Sequence, residues 1–132
     1  MEFSFDDLNN PRKSYIIKEL MSIGGLEDDW DGEGAEAPSD YVLEKTQEIL
    51  FKACEESDSW HDPFITVHAN GIDIKWDLKS RLLLIISDND REYFTVIQNT
   101  TLPFPNEYER IEISTVMGVV RIIQTYLKEN RV

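Results

Sequence analysis

The chain is poor in three things, and each shortage excludes a class. Cys54 is its only cysteine, so it cannot form an intramolecular disulfide or a zinc site built on several thiolates. Basic residues number 13 against 26 acids, a formal charge of −13. Such a surface repels nucleic-acid phosphates and anionic membranes, so direct binding to either is not expected. No apolar run approaches the roughly 20 residues that a membrane helix needs. The start, Met1-Glu2-Phe3-Ser4-Phe5-Asp6-Asp7, lacks the basic and apolar regions of a signal peptide. A soluble, cytoplasmic protein is expected.

What remains is globular in character. With 132 residues, 41% hydrophobic and 30% charged, the chain is long enough for one domain with a buried core. Residues 1–11 read as a loosely ordered arm. From Pro11 to Ile23 the apolar residues Ile16, Ile17, Leu20, Met21 and Ile23 recur at helical spacing, and Gly24-Gly25 supplies a positive-φ stop. Ser39 is a good N-cap for a second helix running to about Glu56, with Val42, Thr46, Ile49, Leu50 and Ala53 as its buried stripe.

Beyond Pro63 the period becomes two. Phe64–Ala69 and Ile72–Asp77 flank Asn70-Gly71, a type I′ hairpin signal. That turn predicts Ala69 opposite Ile72, Val67 opposite Ile74 and Ile65 opposite Trp76 on the core face. It also sets His68 opposite Asp73 on the other face. Arg81–Asp88 is apolar on both faces, as a central strand should be. Glu92–Gln98 alternates again, Pro103-Phe104-Pro105-Asn106 interrupts, and Tyr108–Ile113 is a short fifth strand. Ser114 or Thr115 then caps a helix with Val116, Val119, Val120, Ile123 and Leu127 on one stripe. The expected fold is α+β: an antiparallel meander of four to five strands, with two N-terminal helices and one C-terminal helix on one face.

The most distinctive stretch is Leu26–Ser39. It holds one tryptophan, two close glycines, a Pro-Ser helix start and six acids without a base. A solvated linker has no need of the tryptophan, and a core element would not carry so many carboxylates. The stretch reads as an ordered acidic loop, with Trp30 either an anchor at the end of the core or a contact for a partner. Asp29-x-Asp31-Gly32 imitates the start of a calcium loop and makes Asp29 and Asp31 weak metal candidates. Twelve positions counted from Glu27 end at Pro38, however, where that loop requires a bidentate glutamate. No other cofactor is suggested.

These residues resemble the loop of a family of small uncharacterised bacterial and phage proteins. There a Leu and a short gap precede Trp-Asp-Gly-x-Gly-Ala, then Pro-Ser and a helix, matched here by Leu26, Trp30, Asp31, Gly32, Gly34, Ala35, Pro38 and Ser39. That family also carries a Gly-Ile-x-Leu-Glu-Trp hairpin strand, in frame with Gly71-Ile72-Asp73-Ile74-Lys75-Trp76, except that Lys75 stands where a glutamate is usual. The resemblance spans roughly residues 20–90. It implies a fold and no activity.

Chemistry is otherwise sparse. His68 with Asp73 is a conceivable acid–base couple, and the plain alternative is an exposed pair on a hairpin. Cys54 lies beside the helix stripe and reads as a small buried hydrophobe. No nucleophile elbow, phosphate loop or dinucleotide fingerprint is present. The charge therefore favours a non-enzymatic module of antitoxin, immunity or counter-defence type that binds a basic protein through Asp28, Asp29, Trp30, Asp31, Glu33 and Glu36. A calcium- or ligand-binding accessory protein using the Glu27–Glu36 loop is the alternative, and a small hydrolase the third.

Overall fold

The computed structural model describes residues 3–99 and 107–131. Its elements are α1 (Phe5–Asn9), α2 (Pro11–Gly24), α3 (Asp40–Glu55), β1 (Phe64–His68), β2 (Gly71–Leu78), β3 (Arg81–Asp88), β4 (Phe94–Asn99), β5 (Tyr108–Ile113) and α4 (Val116–Glu129). The strands form one antiparallel sheet in the order β1-β2-β3-β4-β5. The expected meander is therefore present, with all five strands and β3 at its centre. The Pro103–Asn106 interruption lies outside the described residues.

Within the span 1–11 expected to be a loosely ordered arm, Phe5–Asn9 form α1 and Pro11 opens α2. Ser4 and Asp7 form a capping box that starts α1, and Asn10 then caps α2, with Pro11 in its first turn. Ser39 caps α3 by accepting from the Val42 N–H, and Thr115 caps α4 by accepting from Gly118. The expected positive-φ stop of α2 is not used, because Gly25 has φ −84°.

One sheet face is covered by α2, α3 and α4. Its core unites Ile16, Leu20, Ile49, Leu50, Ile74, Trp76, Leu83, Ile85, Val96, Ile123 and Leu127, all at most 1% exposed. Trp76 fills the space under the helices, meets Trp60 edge-on at 5.8 Å and donates its indole N–H to the His61 carbonyl at 2.7 Å. Asp62 accepts the Trp60 indole N–H at 2.9 Å. Two tryptophans thus anchor the His61-Asp62 segment that delivers the chain to β1.

The β1–β2 register differs from the expected one by two residues. Ile65 faces Ile74, Val67 faces Ile72 and His68 faces Gly71, so the turn is made by Ala69 and Asn70. Only Asn70, at φ 72°, is left-handed there, whereas a type I′ turn needs two such residues. Gly71 belongs to the strand, at a point where the backbone approaches too closely for any side chain. A Cβ at that point would lie 2.0 Å from the Ser87 carbonyl oxygen and 2.7 Å from the His68 ring. A shift of two preserves the side of the sheet, so Ile65, Ile72, Ile74 and Trp76 still face the core. The hairpin with two successive positive φ values is β2–β3, at Lys79 (52°) and Ser80 (61°). Neither is glycine, and the turn is braced from α4: the Tyr126 hydroxyl donates to the Arg81 carbonyl at 2.5 Å and accepts from the Leu78 N–H at 2.8 Å.

Candidate functional site

The acidic loop is a folded object. Asp29, Gly32 and Gly34 all take positive φ (64°, 74° and 85°), which curls the chain and turns its N–H groups inward. The aspartates meet them. Asp29 Oδ1 accepts from Gly34 at 2.7 Å, Asp31 Oδ1 from Glu33 at 2.9 Å and Ala35 at 3.2 Å, and Asp28 Oδ1 from Ala37 at 3.1 Å. The Asp29 N–H closes the curl on the Ala35 carbonyl at 2.7 Å. Donation from Glu33 first, and Ala35 after it, holds the Asp31 carboxyl below its ordinary range. Three acids are therefore fasteners as well as charges.

Two asparagines bolt this loop to the sheet. Asn70, in the β1–β2 turn, accepts the Glu36 N–H on its side chain at 3.1 Å and gives its own N–H to the Glu36 carbonyl at 3.3 Å. Asn89, at the end of β3, accepts the Ser39 N–H at 2.8 Å and donates to the Ala37 carbonyl at 2.9 Å. The two turns are also joined, since the Asn89 N–H bonds to the Asn70 carbonyl at 2.8 Å. Ala35 and Pro38 are buried beneath, while Glu27, Asp28, Asp29, Asp31, Glu33 and Glu36 stay exposed. The ion pairs of Lys13, Lys45, Lys52, His68 and Arg91 all go to other carboxylates.

Trp30 is half-buried and donates its indole N–H to the Glu36 carbonyl at 3.2 Å. It packs the loop, not the core, where Trp60 and Trp76 take the place expected of it. Of the six expected contact residues, Asp28, Asp29, Trp30 and Asp31 have structural roles, while Glu33 projects its side chain from the frame. Glu36 reaches Asn89 Nδ2 at 3.4 Å. Asp29 and Asp31 spend their Oδ1 atoms on separate backbone amides. Among the described residues no three acidic, histidine or cysteine side chains gather as a metal-holding group.

His68 sits beside this platform and is only partly exposed, unlike the open hairpin pair the sequence suggests. Its Nε2 lies 2.7 Å from Asp88 Oδ1 and its Nδ1 2.7 Å from Asp73 Oδ1. The Nδ1 contact makes no hydrogen bond and becomes an ion pair when the ring is protonated. Arg91 approaches the other oxygen of Asp88 at 3.6 Å. The two carboxylates, Asp73 foremost and then Asp88, hold His68 above its ordinary pKa against the opposing effect of burial. With both ring nitrogens facing acids, neither is left to take a proton from a nucleophile. Cys54 is far less reactive still: burial pushes its thiol up to about 11, and its S–H points to the Phe51 carbonyl.

A concavity of about 630 Å³ lies at the other end of the sheet, between α4 and the β3–β5 strands. Arg81, Gln98, Glu109, Arg121 and Tyr126 line it, and Gln98 donates to Glu109 at 2.7 Å across its floor. Sequence reading misses it because its walls come from separate segments with no shared motif. Comparison with family models, curated proteins and solved structures finds no match to this chain.

Proposed function

We propose that the chain is a non-enzymatic binding module whose stapled acidic loop docks a basic protein and masks that partner's cationic surface. An inhibitor of antitoxin, immunity or counter-defence type would act in this way. One observation carries the reading: six exposed acids stand on a frame fixed by their own backbone and by Asn70 and Asn89. A surface built before it meets its partner loses little conformational entropy on binding. Its uncompensated charge steers cationic partners into encounter.

The test must change charge without cutting staples. Glu27 and Glu33 are exposed and bond to no loop amide through their side chains, so Glu27→Lys with Glu33→Lys reverses the field and spares the frame. A basic partner captured from the native cell should associate with this variant on the order of tenfold more slowly at low salt. The deficit should shrink at 1 M salt, where the Debye length falls to about 3 Å. An unchanged association rate at low salt would reduce the loop to a solubility feature.

A further inference from the structure

β5 is the last strand of the sheet, and among the described residues no strand pairs with its outer edge. The opposite edge is guarded, because α2 packs beside β1 and its Tyr15 hydroxyl donates to the Pro63 carbonyl at 2.6 Å. Five of the six β5 residues are exposed, among them Tyr108 (58%) and Ile111 (39%). An open edge carrying large apolar side chains invites strand addition.

We propose that β5 is the seam of a homodimer, two copies pairing antiparallel about a two-fold axis through Ile111. The charge pattern selects both the occupant and the register. A two-fold normal to the sheet keeps both helical layers on one side and sets residues of like parity opposite each other. Centred on Glu109, Arg110 or Glu112, the strand would oppose a charge to its own copy. Centred on Ile111, it sets Arg110 opposite Glu112 twice, with no like charges facing.

Neither Arg110 nor Glu112 has an ion-pair partner among the described residues. Each copy carries −13, so association is opposed wherever charges are not matched, and this seam brings two matched pairs. Ile111 shares the helical side with Val96 and meets its twin there. The start of α4 lies against the end of this strand, where a Cβ on Gly118 would come 2.8 Å from Ile113 Cγ2. The dimer thus joins two meanders into a continuous ten-stranded sheet, with the paired Ile111 side chains on one face of the join and the charge pairs on the other.

Sedimentation equilibrium of the full chain over a broad concentration range tests this. The wild type should self-associate to a dimer. Arg110→Glu and Glu112→Arg should each weaken association roughly tenfold or more, since each turns two attractive cross-strand pairs repulsive. Combining the two should restore it, because both pairs reform in the reverse sense. Both side chains are exposed, and circular dichroism of each variant verifies the fold. A wild type that stays monomeric, single variants that associate as well as wild type, or a double variant as weak as the singles would each overturn the proposal.

Discussion

Replacing Asn89 by alanine should release the acidic loop while leaving the core intact. The side chain makes two strong bonds across the junction, from the Ser39 N–H at 2.8 Å and to the Ala37 carbonyl at 2.9 Å. Each bond contributes about 1 kcal/mol net, and both abandoned groups are part-buried, so opening the loop should become easier by about 2 kcal/mol. That corresponds to roughly thirtyfold faster exchange of the amides held at the junction. Native-state hydrogen exchange reads this directly at Ser39, whose donor is orphaned, and at Glu36, held next door by Asn70. The Ile74 and Ile85 amides, in the middle of the sheet, should keep their protection, because the core does not include the loop. Asn89→Asp retains the acceptor for Ser39 but loses the donor to Ala37, so it should fall between, at roughly fivefold. If the alanine variant exchanges at the wild-type rate at both positions, the asparagine does not fasten the loop. If protection falls equally at Ile85, the loop and core open as one unit, and the picture of an independently fastened platform is wrong.

Trp76→Ala should cost about 3–5 kcal/mol in chemical denaturation, since it empties the largest buried side chain and orphans the His61 carbonyl; a loss as small as that of a surface substitution would refute its place in the core. His68 binds its proton more tightly folded than unfolded, so its contribution is complete below the ordinary value of 6.5 and is lost as pH rises through the elevated folded value. Thermal melts should therefore fall over that window in wild type and flatten in His68→Gln, and parallel pH profiles for the two would contradict the ion-pair geometry.

The layers of the fold were legible in the sequence wherever a side-chain period reports burial. Val42, Thr46, Ile49, Leu50 and Ala53 are all buried as their spacing requires, and Arg81–Asp88 is the central strand its two apolar faces suggest. Turn chemistry was less decisive. Asn70-Gly71 is the sequence signature of a type I′ turn, yet Lys79-Ser80 has the paired positive φ values, with Tyr126 supplying from a distant helix what glycine supplies locally. Because the register moved by two, the core face survived, but the neighbours of His68 changed. Asp73 became a diagonal contact, and Asp88, on another strand, became the second partner. The fasteners of the loop were hidden for a related reason. An asparagine that bonds to backbone 50 residues away leaves no periodic trace. Aspartates that cap their own loop look in sequence like aspartates facing water.

The Tyr126 brace also makes a local turn depend on a distant helix. Every strand pairing joins chain neighbours, so the meander can zip up through short loops with little closure entropy. The hydroxyl that steadies the β2–β3 turn, by contrast, arrives across 45 and 48 residues, on the last helix. Until α4 docks, the turn at Lys79-Ser80 is unsupported, and the side of the sheet that receives Ile123 and Leu127 is bare. The β2–β3 turn is therefore complete only with the C-terminal helix in place, so loss of α4 would loosen a turn far from it in the chain.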